Sequence, residues 1–138
     1  MKYDRILRRV WVEINGREYA LVFSLSVFEK LDAEAKGNLL QAMATNEIGW
    51  ALMGKAFRLA LHQGDKSIAE DKANALFEAF LYEHGIPQLP TVFWGAVAVS
   101  GLMGAKASAQ MLANMGGLAK DITEEEDEPA KNAKVPKE

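Results

Sequence analysis

The dipeptide Asn15-Gly16 constrains the fold of this 138-residue sequence more than any other feature, because runs of alternating apolar and polar residues flank it. Asn-Gly between such runs is the strongest short-range signal for a β-hairpin with a two-residue turn. The turn predicts four cross-strand pairs: Ile14 with Arg17, Val12 with Tyr19, Val10 with Leu21, and Arg8 with Phe23. This register puts the apolar side chains on one face. We expect that face to pack on helices, because an isolated hairpin is marginal in water.

Helical spacing of apolar residues replaces the alternation after the hairpin. Two S-x-x-E sequences, Ser26 to Glu29 and Ser67 to Glu70, match the capping box that begins a helix. The second of these helices is predicted to stop at Gly85, because glycine commonly follows a helix C-terminus.

A longer helix and a final helix complete the predicted bundle. Thr45 or Asn46 is predicted to cap the longer helix, which follows a short apolar segment. Pro90 suits the first turn of the final helix. That helix either continues or breaks near Gly101 or Gly104, and the sequence leaves both alternatives open.

Residues 91–105, TVFWGAVAVSGLMGA, carry no charged side chain. A membrane span needs about 20 apolar residues, whereas this stretch of fifteen contains three glycines, which argues against insertion. At helical spacing, Ala96, Ser100 and Gly104 form a stripe of small residues that lets another helix approach closely. The stripe is interpreted either as core packing or as a seam for a partner helix.

Charge is unevenly distributed along the chain. Residues 121–138 hold seven acids and three lysines, whereas residues 1–120 hold thirteen basic and twelve acidic residues. The nearly neutral body gives no electrostatic reason to bind nucleic acid. The lack of cysteine removes disulfides and thiolate metal sites, and it fits a reducing cytoplasm.

These features predict an α+β fold that is mostly α. An N-terminal β-hairpin packs on a bundle of four to five helices in residues 1–118. Residues 119–138 are predicted to form a disordered acidic tail, because they contain too little apolar surface to offset the entropy lost on ordering.

The sequence contains no motif for catalysis. It has neither a glycine-rich phosphate loop nor a G-x-S-x-G nucleophile elbow. The two histidines, His62 and His84, lie in the last turns of predicted helices, where the helix dipole favours a cation. We therefore expect no enzyme activity, no metal and no cofactor.

Aromatic residues and methionines supply the remaining functional signal. Trp11 falls on the outer face of the hairpin, and Phe93 and Trp94 begin the charge-free helix. They are interpreted either as a second layer of core or as anchors of an exposed interface. Methionines would let such an interface adapt to different partners. The candidate partner-binding residues are Trp11, Phe93, Trp94, Ala96, Ser100, Met103, Gly104, Met111 and Met115.

Residues 10–84 resemble the tail assembly chaperones of long-tailed, siphovirus-like bacteriophages and their relatives in gene transfer agents. The likeness rests on a strand, the Asn15-Gly16 turn, a second strand ending in Phe23-Ser24, and an immediate helix containing Phe28-Glu29-Lys30-Leu31. Two further amphipathic helices and a polar tail extend the likeness.

The resemblance implies a protein of the host cytoplasm that binds the tape measure protein, a very long helical chain, and keeps it soluble during tail assembly. It also implies absence from the mature virion. A longer form, made by ribosomal frameshifting, would reach the tail tube protein. Self-association is a further expected interaction, whereas nucleic acid and membrane are not expected partners.

Two other functions remain open from the sequence. A structural tail completion or connector protein could share the fold, because a fold does not fix a function. A small membrane-active protein is the less favoured alternative, because the charge-free stretch is shorter than a membrane span.

Overall fold

A computed structural model describes residues 1–122 of the chain. The predicted α+β class with mostly α structure is confirmed there, with six α-helices and a small sheet. The strands are β1 (Lys2–Asp4), β2 (Arg9–Ile14), β3 (Arg17–Leu21) and β4 (Lys120–Asp121). The helices are α1 (Leu25–Glu34), α2 (Leu39–Ala44), α3 (Trp50–Gly64), α4 (Glu70–His84), α5 (Leu89–Ser100) and α6 (Ala105–Met115). Most of the predicted disordered tail, from residue 123 onward, lies outside the described residues.

The predicted hairpin forms between β2 and β3. Asn15 and Gly16 have φ angles of 53° and 78°, the left-handed backbone that a tight two-residue turn requires. Three predicted pairs are present: Ile14 with Arg17, Val12 with Tyr19, and Val10 with Leu21. The fourth, Arg8 with Phe23, is absent, because Arg8 turns out of the strand with a φ of 55°.

Two strands that the sequence pattern did not predict extend the hairpin into a sheet of order β3-β2-β1-β4. β1 runs antiparallel to β2, and β4 runs parallel to β1. The Lys120 N–H donates to the Met1 carbonyl at 2.9 Å, and Arg5 pairs with Asp121 at 2.8 Å. These contacts carry the folded chain past the predicted boundary at residue 118.

The two predicted capping boxes do not form. Ser24 caps α1 in place of Ser26, because its Oγ accepts the Val27 N–H at 3.4 Å. In the turn before α4, the Ser67 N–H and hydroxyl both donate to the Asp65 Oδ1, at 2.9 and 2.7 Å. The α4 helix therefore begins without a side-chain cap.

The predicted cap of the longer helix is also displaced. Thr45 ends α2, since its N–H donates to the Gln41 carbonyl at 3.0 Å. Asn46 follows with a φ of 56°, and α3 begins only at Trp50, after Gly49.

The C-terminal end of α4 is where the sequence predicts it. Gly85 takes a φ of 89° and stops that helix.

The core lies between the sheet and helices α3 and α5. The apolar face of the hairpin is buried against them, and Phe23 meets Phe93 edge to face at 5.8 Å. Burial of each such large side chain stabilises the fold by about 1.5–3 kcal/mol. The expected packing of the hairpin on helices is thus confirmed, with α5 against β2 and α3 against β3.

Gly101 ends α5 inside the charge-free stretch, four residues before α6 begins at Ala105. It adopts a φ of 76° at the end of α5, a left-handed conformation that glycine takes without strain. The Ser100 Oγ donates to the Val97 carbonyl at 2.6 Å and accepts the Leu102 N–H at 3.2 Å. The break explains why the bundle has more helices than predicted. Within residues 1–122, no helix has both the length and the apolar character needed to cross a membrane.

Candidate partner-binding cleft

An apolar groove opens between α2, α5 and α6. We call it the methionine groove; it has a volume of about 480 Å³. Its wall consists of Leu40, Met43, Ala44, Asn46, Trp94, Met103, Met111, Asn114 and Met115. Among residues 1–122, no charged side chain lines it, and its polar side chains are those of its two asparagines and the indole N–H of Trp94. Such a surface favours apolar partners, and its four flexible thioethers let it fit side chains of different shape.

A second groove, of about 560 Å³, adjoins the first one and runs along α1. We call it the α1 groove; Leu25, Phe28, Leu39 and Leu102 are among its apolar residues. Leu40 and Met103 line both grooves, so the two adjoin at these residues, and we call the pair the cleft. The α1 groove differs in charge, because Glu29 and Asp32 contribute carboxylates to its wall.

Helix α2 forms the wall that the two grooves share. The Asp32 Oδ1 accepts the Leu39 N–H at 3.1 Å, which fixes the start of α2 against α1. Leu39 and Met43 are buried, whereas the neighbouring Leu40 is 69% exposed. Leu25 and Leu102, which line the α1 groove with Leu40, are exposed as well, and a contiguous apolar patch of this kind is typical of an interaction surface.

The cleft contains four of the nine predicted partner-binding residues. Trp94, Met103, Met111 and Met115 come together in the methionine groove, each of them half-buried. Trp94 lies edge to face on Phe93 at 5.1 Å, so its ring is held in place from the core side.

The other candidates from the charge-free stretch lie elsewhere. Phe93, Ala96 and Ser100 are buried inside the domain, and Ser100 is only 3% exposed. Gly104 is exposed, with a φ of 97°, before the first residue of α6. The prediction that Ala96, Ser100 and Gly104 form one stripe on a helix is therefore wrong, because the helix ends at Ser100. Ala96 and Ser100 pack within the domain.

Trp11 lines neither groove of the cleft and lies on the outer face of β2. The Arg9 guanidinium stacks over its ring at 5.6 Å, and its side chain lines a separate cavity of about 450 Å³. That cavity also contains His84, whose Nε2 lies 2.6 Å from the Glu13 carbonyl oxygen. The contact ties the end of α4 to the hairpin, and His84 lies in the last turn of its helix as predicted.

Several residues of the cleft are absent from the predicted set: Leu25, Phe28, Leu39, Leu40, Met43 and Leu102. The sequence does contain one indication that a leucine of α2 is exposed. Leu39 and Leu40 are adjacent in a helix, and adjacent residues point about 100° apart, so a narrow helix face cannot bury both. The position of Leu102 depends on the break at Gly101, which the sequence left undecided.

Polar side chains give weaker evidence of a functional site than the apolar cleft does. Within residues 1–122, no three His, Asp or Glu side chains form a group that could hold a metal ion. The His62 Nδ1 lies 2.9 Å from the Ile68 carbonyl oxygen. Hydrogen bonds from the Ser67 side chain and backbone lower the pKa of Asp65, an exposed carboxyl in the turn before α4.

Comparisons of the chain with models of known protein families, with curated proteins and with solved structures find no match.

Proposed function

We propose that this chain is a phage tail assembly chaperone that binds the tape measure protein and keeps it soluble during tail morphogenesis. In this role it acts by binding, without catalytic turnover, in the cytoplasm of the host cell. It leaves before the virion is complete. A longer frameshifted form would extend the same body toward the tail tube protein.

The observation that carries the proposal is the apolar methionine groove of the cleft. An assembly chaperone must cover apolar stripes of its client, which would otherwise associate with each other in water. The methionine groove offers four thioethers and a tryptophan without a charged side chain in its wall. Covering apolar surface there favours binding whatever the order of the client's residues, because the hydrophobic effect is non-directional.

A second feature that supports the proposal is the separation of cleft from core. Leu40 is exposed and Trp94, Met103 and Met111 are half-buried, whereas Phe93 and Val97 of α5 are buried in the core. A client that contacts the exposed and half-buried side chains can therefore bind and leave without unfolding the chaperone.

Co-expression with the tape measure protein tests the proposal. We expect the native chain to raise the soluble fraction of the client, measured in the supernatant after centrifugation. Leu40→Lys puts a charge into both grooves and should abolish the effect. Leu118→Lys is a matched control, because Leu118 is similarly exposed, at 60% against 69%, and lines neither groove.

Two results would contradict the proposal. The first is equal aggregation of the tape measure protein with and without the native chain. The second is recovery of the chain from purified mature virions, which would favour a structural tail component instead.

A further inference from the structure

We propose that the segment held in the cleft is an amphipathic helix whose end over α1 carries Lys or Arg side chains. This inference rests on the proposed function, since it takes the cleft as the client site, and it adds the chemistry and the direction of the bound segment.

The walls of the cleft favour a helix over an extended peptide. They come from α1, α2, α5, α6 and the segments that join these helices, and no strand residue lines either groove. An extended peptide would leave its backbone N–H and C=O groups without a sheet edge to pair with. A helix satisfies these groups internally and presents only side chains to the groove.

The charge of the cleft is confined to one end. Glu29 and Asp32 are the charged residues among those lining the two grooves, and both belong to α1. Asp32 is half-buried and uses its Oδ1 to accept the Leu39 N–H, whereas the Glu29 side chain is exposed. The other end of the cleft is the methionine groove, where the polar side chains among the described lining residues are uncharged, including those of Asn46 and Asn114.

This asymmetry selects the charge of the ligand and its direction. A basic side chain placed over α1 gains attraction from two carboxylates, and an acidic one is repelled. At the neutral end neither charge has a partner in the groove wall. A helix with basic residues at one end therefore binds in one direction, with its apolar stripe along the methionine groove.

Fluorescence anisotropy with labelled helical peptides of about 18 residues tests the inference. The peptides share one stripe of Leu and Met at helical spacing and differ at one end, which carries two Lys, two Glu or two Gln. For the native chain in low salt we expect the Lys peptide to bind about fivefold more tightly than the Glu peptide. At about 1 M NaCl, where the Debye length is about 3 Å, the difference should largely disappear.

Two variants separate the local charge from the charge of the whole protein. Glu29→Lys should remove or reverse the preference for the Lys peptide. Glu34→Lys makes the same charge change on the same helix, at an exposed residue outside the cleft, and should keep the preference.

Specific outcomes overturn the inference. Equal loss of the preference in both variants would assign it to overall charge and not to the cleft. Equal affinity of the native chain for the Lys and Glu peptides, with Leu40→Lys weakening both, would reject the basic end and leave the proposed function intact. A peptide preference that holds while the tape measure protein aggregates in the co-expression test would instead reject the proposed function.

Discussion

Gly64, the last residue of α3, lies directly against the backbone carbonyl of Ala20 in β3. A β-carbon built on Gly64 would be 2.8 Å from the Ala20 carbonyl carbon, closer than real β-carbons approach. Nearby, the Val22 N–H donates to the Ala60 carbonyl of the same helix at 3.2 Å. Because β3 is an outer strand of the sheet, α3 covers its edge at this point.

We predict that Gly64→Ala lowers the free energy of unfolding by about 1–2 kcal/mol. Overpacking against backbone costs about 1–3 kcal/mol, and the better helix propensity of alanine offsets about 0.5–1 kcal/mol of that. Urea denaturation followed by circular dichroism measures the change. Gly117→Ala is the control, because a β-carbon at Gly117 would meet no atom within 4 Å. Equal stabilities of the two variants would show that α3 can move away from the strand.

Phe93 and Trp94 are neighbours in α5 with opposite roles, and alanine substitutions should separate them. Phe93 is 2% exposed, so Phe93→Ala should cost about 3–5 kcal/mol of stability through the cavity it leaves. Trp94→Ala should cost less, about 1–2 kcal/mol, because the ring is only half-buried, and it should weaken client binding. Thermal denaturation and the co-expression test read the two effects independently. A Trp94→Ala chain that unfolds as readily as Phe93→Ala would assign Trp94 to the core.

The left-handed turn at Gly101 should make that position sensitive to side chains. Gly101→Ala forces an L-residue to a φ of 76°, which should destabilise the fold by about 1 kcal/mol. Gly101→Asn should cost less, because asparagine tolerates this region better than alanine does. The midpoints of chemical denaturation compare the two variants. Greater stability of the alanine variant would mean that α5 and α6 can join into one helix.

The hydrogen bonds between Ser67 and Asp65 should appear in a pH titration. They lower the pKa of Asp65 below its ordinary value of 3.8, so the carboxylate contributes stability above that pH. The contribution is lost as the pH falls through the lowered pKa. Ser67→Ala should return the pKa toward 3.8, and Ser67→Thr, which keeps the hydroxyl, should leave it low. Side-chain carboxyl chemical shifts from NMR follow both, and an unchanged titration in Ser67→Ala would contradict the assignment.

Local pattern was sufficient to predict the hairpin, because its turn and its alternation are encoded within neighbouring residues. The φ angles of Asn15 and Gly16 and three of the four predicted pairs agree with that reading. Gly85 stops α4 as expected for the same reason. Strands β1 and β4 could not be predicted in this way. Both are short, and the pairing of β1 with β4 joins residues that are more than 100 positions apart in the sequence, such as Lys2 and Lys120.

Helix starts were harder to predict, because neighbouring residues compete to cap the same helix. The site was harder to predict, because it depends on tertiary packing. Ser26 and Glu29 match a capping box, but Ser24 caps the helix two residues earlier. The sequence suggests Met103, Met111 and Met115 as partner-binding residues because methionine side chains are adaptable, and all three line one groove. Their meeting with Leu40 of α2 depends on tertiary packing, which periodicity does not describe.

The left-handed turn at Gly101 separates the largely buried helix α5 from a segment that borders the cleft. Most residues of α5, such as Val97, are buried, whereas Trp94 of α5 and Met103 and Met111 after the turn border the cleft. Substitutions after the turn should therefore change the cleft wall at little cost to folding, whereas most of those in α5 are constrained by the interior. A lineage of such proteins could follow a changing client by varying Met103 and its neighbours while keeping α5 the same.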